Sequence, residues 1–185
     1  MKKNIISISG DPASGKGAVS EILKEELNYV LYKNGEYFRK LAKEKNMTLE
    51  EFGEYVGNHP EIDQQIEESA KEYAKDHDNF IIDARLGFYV VPESFKIYLT
   101  VDLDEAAKRA FLDKNRKDVE SYNSVEEYKK ALKDRFESEN ERYLRLYNVK
   151  KDDLNNYDLV VDTTDKTPNE VVDIVIKNYE SWLNN

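Results

Sequence analysis

The segment Gly10-Asp11-Pro12-Ala13-Ser14-Gly15-Lys16-Gly17 has the spacing G-x-x-x-x-G-K, between a short apolar run and a helically spaced one. Glycines let a chain turn there with its N–H groups pointing inward. Those donors and the positive end of the following helix cradle phosphate oxygens. Lys16 adds a full charge against the outer phosphates of a nucleoside triphosphate. The stretch Gly10, Asp11, Pro12, Ala13, Ser14, Gly15, Lys16, Gly17 and Ala18 is therefore the candidate triphosphate site. The Ser or Thr that usually follows the Lys is absent: Gly17 and Ala18 carry no hydroxyl for a metal ion, Ser20 is most of a turn further on, and Ala13 stands where Gly is frequent.

A second set of chemical groups is spread over other predicted strand ends. Asp83-Ala84-Arg85 closes the apolar run Phe80–Asp83. A carboxylate beside a phosphate loop can hold Mg²⁺ through water, and a guanidinium there can clamp an acceptor phosphate with two parallel hydrogen bonds. Gly35-Glu36-Tyr37-Phe38-Arg39 opens a helix after another strand and offers a further cation in Arg39. Arg109, Arg116, Arg135 and Arg142 flank the polar stretch Asp113–Asn123, and Arg135 and Arg142, seven apart, share one helix face. Arginines closing over a transferring phosphoryl group supply positioning and charge neutralisation. The bland reading of each is an ion pair with a neighbouring acid such as Glu137, Glu139 or Glu141. His59 and His77 read as solvated side chains.

These groups need elements to position them. Ile5–Ser9, Tyr29–Tyr32, Phe80–Asp83, Phe95–Val101 and Tyr157–Asp162 read as five strands. Lys16–Leu27, Glu36–Lys45, Leu49–Gly57, Pro60–Lys75, Leu103–Asn115, Ser124–Tyr147 and Pro168–Leu183 read as helices, Pro60 and Pro168 suiting first turns. Strands alternating with helices predict a five-stranded parallel sheet covered on both faces, a three-layer α/β sandwich. Sites in such sheets lie beyond the carboxyl ends of the strands, where most of the groups above fall.

The 185 residues fit one domain. A formal net charge of −10 disfavours nucleic acid and anionic membranes as partners. An anionic substrate would then need a local basic pocket, which makes the arginines more informative than the acids. The chain has no cysteine, which excludes disulfides, thiolate metal sites and a cysteine nucleophile. No apolar run is long enough to span a bilayer, and the opening residues lack the apolar stretch of a secretory signal, so a cytoplasmic location is expected.

Taken together, these segments resemble the cytidylate kinase-like branch of the nucleoside monophosphate kinases, in particular its compact archaeal-type members. The resemblance is carried by the phosphate loop, Asn34-Gly35-Glu36-Tyr37-Phe38-Arg39, Met47-Thr48-Leu49-Glu50-Glu51-Phe52, Asp83-Ala84-Arg85, Arg135 to Tyr147, and Tyr157-Asp158-Leu159-Val160-Val161-Asp162-Thr163. It departs from the family at Ala84, where Gly is common, and at Lys33-Asn34, where small residues are usual. The resemblance implies a P-loop kinase domain over 1–185 with a helical acceptor-binding segment at about 36–78 and a mobile lid at about 113–124. It implies that Gly35, Arg39, Asp83 and Arg85 serve the acceptor monophosphate and that the lid carries Arg109, Arg116, Arg135 and Arg142. ATP would be the phosphoryl donor, Mg²⁺ the metal with Asp83 holding it through water, and CMP or dCMP the acceptor. The rivals are another nucleotide or small-metabolite acceptor, and a nucleotide-binding module that turns over weakly. Oligomeric state is left open, a monomer being the default.

Overall fold

The strand β1 (Ile5–Gly10) is buried at every position, as only a strand covered on both faces can be. A computed structural model describes residues 4–113 and 122–184, and in it β1 is the centre of a five-stranded sheet. The other strands are β2 (Val30–Lys33), β3 (Phe80–Asp83), β4 (Phe95–Thr100) and β5 (Leu159–Asp162), in the order β2-β3-β1-β4-β5 and all parallel. Ile8 aligns with Asp83 on one side and Ile97 on the other. The chain order reverses about β1, which opens a crevice at its carboxyl end.

Helices cover both faces, as the alternation predicted. On one face, Ile6 and Ile8 meet Val19 and Leu23 of α1 (Lys16–Leu27) and Val171, Val175 and Tyr179 of α8 (Pro168–Leu183). On the other, Ile5, Phe80 and Ile82 meet α4 (Pro60–Asp76) through Ala70 and Ala74, and a single-turn helix α5 (Gly87–Val90) through Phe88 and Val90. A Cβ on Gly87 would come within 2.9 Å of the Ser7 Cβ, so α5 lies directly on β1.

Two smaller clusters stand away from the sheet. One joins α2 (Asn34–Glu44) to α3 (Leu49–Asn58) around Phe52 and Val56. The other joins α6 (Leu103–Leu112) to α7 (Val125–Tyr147) around Ala107, Tyr128 and Leu132. Side-chain caps begin several of these helices: Thr48 and Glu51 form a capping box on α3, Thr167 and Glu170 one on α8, and Asp102 and Ser124 cap α6 and α7.

The differences from the sequence reading are local. Helix α2 starts at Asn34, directly from β2. Strand β5 starts at Leu159, because Tyr157 is held in the preceding loop by its hydroxyl donating to the Lys151 carbonyl at 2.6 Å. The turn α5 and the short 3₁₀ turn Leu154–Asn156 are too brief to leave a periodic signal. His59 and His77 are not simply solvated: each stacks on the tyrosine four residues earlier, at 3.8 and 3.9 Å between rings, with Nδ1 on that tyrosine's carbonyl. Arg116 and most of the 113–124 segment lie outside the described residues. Among the described residues no helix is long and apolar enough to cross a membrane.

Candidate active site

The phosphate loop leaves β1 at Gly10, whose φ is +156° and where a Cβ would sit 2.4 Å from the Leu99 carbonyl oxygen. No side chain fits there. The Asp11 N–H donates to that same carbonyl at 2.9 Å. The Asp11 carboxylate accepts from the Tyr98 hydroxyl at 2.7 Å and the Val101 N–H at 3.1 Å, tying the loop to β4. Ala13 takes a left-handed φ of 62°, which explains why Gly is frequent at this position. Gly15, with φ of 88°, caps α1. From the β5 side, the Thr163 Oγ1 lies 3.0 Å from both the Ser14 and Thr100 carbonyl oxygens. Arg109 then locks Thr163 in place, donating to its carbonyl at 2.7 Å and to that of Thr164 at 2.8 Å. Gly17 and Ala18 face solvent, and Ser20 is fully buried.

The Lys16 ammonium lies 3.5 Å from the Gly10 carbonyl oxygen. Burial lowers its pKa to about 8, with Arg85 and Lys151 adding to the effect, while Asp83 and Glu139 oppose it. Parallel pairing of β1 with β3 brings Asp83 level with Ile8, beside the loop's root.

Next to Arg85 opens a cleft of about 720 Å³, lined by Phe38, Leu49 and Gly53 from α2 and α3, and by Arg135, Glu139 and Arg142 from α7. Glu139 is its electrostatic hub. The Glu139 Oε1 is 2.6 Å from the Arg85 Nε and 3.2 Å from the Arg135 Nε, and its Oε2 accepts from the Lys151 Nζ at 2.6 Å. Burial would push the Glu139 carboxyl up, but Arg85, Lys151 and Arg135 overcome it and hold the group well below the usual carboxylate range. Arg142 lies 3.5 Å from the Asp63 Oδ1 and donates to the Tyr143 hydroxyl at 3.1 Å. Behind it, Asp63 and Glu67 of α4 are both buried. Burial, with Asp63 nearby, pushes the Glu67 carboxyl up to about 8. Asn34 donates to Glu67 at 3.4 Å.

The structure thus gathers Lys16, Asp83 and Arg85 at adjoining strand ends, and Arg85, Arg135 and Arg142 around one cleft. Arg109 is elsewhere, pinning the end of β5. Arg39 is exposed, with its guanidinium 3.6 Å from where a Gly35 Cβ would be, and neither residue lines the cleft. Sequence reasoning missed Lys151, Asp63, Glu67, Tyr98 and Asp11's tie to β4, and met Glu139 only as a possible partner for an arginine. Asp63 and Glu67 had a signal: they fall on the stripe 63, 66, 67, 70, 74 that α4 buries. Lys151, in the run Lys150-Lys151-Asp152-Asp153, had none.

Among the described residues no group of three or more His, Asp or Glu side chains could hold a metal by itself. Asp83, level with Ile8, is a carboxylate at the end of β3 beside the loop. Such a donor set fits Mg²⁺, which keeps several waters and binds through one or two carboxylates and substrate phosphates.

A phosphate loop after β1 of a β2-β3-β1-β4-β5 parallel sheet defines a P-loop kinase fold of the nucleoside monophosphate kinase type. The chain belongs to the cytidylate kinase-like family, whose family model matches residues 5–165. Solved structures share the fold: an uncharacterized protein from Eubacterium ventriosum (TM-score 0.70, 18% identity, 96% of this chain and 98% of that one), and a shikimate kinase from Aquifex aeolicus (TM-score 0.57, 15% identity, 98% and 99%). Among curated relatives, the cytidylate kinase of Thermoplasma volcanium is 34% identical over 95% of this chain and 90% of its own length. That of Methanocella arvoryzae is 35% identical over 94% and 95%. An S-adenosylmethionine-dependent nucleotide dehydratase of Lacinutrix mariniflava is 34% identical over 96% of this chain, which spans only 36% of that protein.

Proposed function

We propose that this chain transfers the γ-phosphoryl group of ATP to a pyrimidine nucleoside monophosphate, CMP or dCMP. The observation that carries the reading is the placing of Asp83 level with Ile8 of β1, beside the root of the phosphate loop, with an arginine-lined cleft opening at Arg85 two residues on. The archaeal relatives named cytidylate kinase, matched over nearly their full length, favour a nucleotide acceptor over the small metabolites that neighbours of the same fold phosphorylate.

In this reading the backbone from Gly10 to Ala18, with Lys16, takes the triphosphate. Arg85 takes the acceptor phosphate, with Arg39 and Gly35 closing on it from α2. Arg135 and Arg142, aided by Arg116, neutralise charge on the group in flight, while Arg109 holds Thr163 behind the loop. Residues of about 36–78 form the acceptor-binding segment and about 113–124 the lid of a single domain. An oxygen of the acceptor phosphate attacks the γ-phosphorus, the bond to the β–γ bridging oxygen breaks, and ADP leaves with the electron pair. The attacking oxygen is already ionised, so the chain needs no general base. Its task is positioning and charge stabilisation. Asp83 would hold Mg²⁺ through water, and the ion would neutralise β- and γ-phosphate charge. We also take the protein to act in the cytoplasm on free nucleotides.

A second reading has one observation in its favour. Gly17 and Ala18 offer no hydroxyl and Ser20 is buried, which suits a nucleotide-binding module with weak turnover. ADP release from ATP, followed with CMP, dCMP, UMP, AMP and buffer alone, separates the readings. The kinase reading expects release that depends on CMP or dCMP. Release driven by another acceptor reassigns the substrate, and ATP binding with no release under any condition favours the binding module.

A further inference from the structure

We infer that Gly53 makes room for the base of the acceptor: by leaving the backbone of α3 bare, it keeps open the part of the cleft where that flat ring lies. The inference rests on the kinase reading above and gives a place to the part of the acceptor which that reading leaves without contacts.

Gly53 stands inside α3, between its first residue Leu49 and its last, Asn58. Glycine weakens a helix there, because it has more backbone freedom to lose than any other residue and brings no side chain to pack. A glycine kept inside a helix has a packing or functional reason. At other glycines of this chain the reason is visible. A Cβ on Gly10 would meet the Leu99 carbonyl oxygen at 2.4 Å, one on Gly87 the Ser7 Cβ at 2.9 Å, and Gly15 has a left-handed φ. None of these applies to Gly53. Its φ is not positive, and beyond its own stretch of helix a Cβ would meet no atom within 4 Å. What lies before it is the cleft, which it lines. The neighbour that a side chain would displace is therefore not part of the chain.

The chemistry of that wall selects the part of a nucleotide it takes. Leu49 and Gly53 are one turn apart on α3 and share a face, and Phe38 of α2 lines the cleft with them. Phe38 is held edge-on against Phe52, with 4.7 Å between ring centres. The wall is completed by Thr48, whose side chain caps α3, and by Glu54. Its described residues thus offer apolar surface, bare backbone and one acid, and no cation. Arg85, Lys130, Arg135 and Arg142, which also line the cleft, come from the end of β3 and from α7. The acceptor phosphate goes to that cationic side. The α2–α3 wall is left for the uncharged ring, which can lie beside Phe38 and Leu49 and close on the backbone of Gly53. A side chain at 53 would hold the ring off.

The test uses the full chain with ATP, Mg²⁺ and CMP, and the variants Gly53→Ala and Gly53→Leu. Both replacements are better helix formers than glycine and neither meets a protein neighbour at its Cβ, so the urea midpoint should rise for Gly53→Ala and not fall for Gly53→Leu. Gly53→Leu should raise the KM for CMP by about 10- to 100-fold, the scale on which a single methylene decides fit in a pocket. Gly53→Ala should raise it by less, and the KM for ATP should stay at the parent value in both. Greater stability together with weaker CMP binding is a combination that a merely structural glycine does not give. Should Gly53→Leu fail to fold, Gly53→Ala carries the test. A parent-like KM for CMP in the folded variants overturns the inference. So does an equal rise in both KM values, or a loss of stability in both variants, which would make Gly53 a packing residue. A parent chain that binds ATP but does not turn over CMP removes the kinase reading and this inference with it. An active parent with indifferent variants removes the role of Gly53 alone.

Discussion

The lowered proton affinity of Lys16 predicts that nucleotide binding weakens as pH rises through 8. Burial brings the ammonium to about 8 in the ligand-free chain. A polyphosphate alongside favours the charged form, so binding takes up a proton wherever the free chain has lost one. With that pKa, roughly nine-tenths of the chains carry the charge at pH 7 and about a tenth at pH 9. ATP affinity should therefore fall about tenfold between those values, close to 1.4 kcal/mol. At pH 8 about half a proton should be taken up per nucleotide bound. Titration calorimetry in buffers of different ionisation enthalpy reads both quantities. Lys16→Arg keeps its charge throughout, so whatever affinity it retains should lose the pH dependence. Flat affinity from pH 7 to 9 in the parent, or the same slope in Lys16→Arg, would mean that Lys16 does not lose its proton in this range.

Other expectations follow from single contacts. Gly10→Ala would drive a Cβ to 2.4 Å from the backbone of β4, so it should lower stability by about 2 kcal/mol or more in urea unfolding; a neutral effect would mean the strands part easily. Glu67 keeps its proton in the folded chain up to about pH 8 but loses it near 4.5 when unfolded, so over that window it costs stability increasingly as pH rises. Glu67→Gln should accordingly be neutral near pH 4 and stabilising by about 1–3 kcal/mol at pH 8; a gain that shrinks with pH contradicts the assignment. Asp83→Asn should damage kcat severely and raise the free Mg²⁺ needed, whereas Ala18→Thr should be neutral or activating; titrating kcat against Mg²⁺ for both shows whether Asp83 bears the metal.

Much of this architecture was legible because its signals are local. The glycines and Lys16 sit at fixed spacing after an apolar strand, and the strand ends at Asp83 and Asp162 follow from β-branched runs. The five strands and seven longer helices fell within a few residues of their places, and the parallel sheet followed from their alternation. The hub at Glu139 was not legible, since it depends on Arg85 and Lys151 arriving from 54 and 12 positions away, and a charged helix reads the same whether a given acid is buried or solvated. Asp11 shows the same limit. Its place in the loop motif suggests phosphate, while its carboxylate is engaged by Tyr98 and Val101 of β4 and its continuation. Arg109 looked like one of a set of arginines, and only the fold reveals that it holds Thr163, and through it the loop at Ser14.

In the proposed reaction phosphate moves from ATP to a pyrimidine monophosphate on this chain. Incubation with ATP labelled in the γ-phosphate, Mg²⁺ and CMP, followed by separation of the nucleotides, tests it most directly. Label is expected in CDP, one equivalent for each ADP formed, and none when CMP is omitted. Label recovered only as inorganic phosphate, or left in ATP that the chain nonetheless binds, would contradict it.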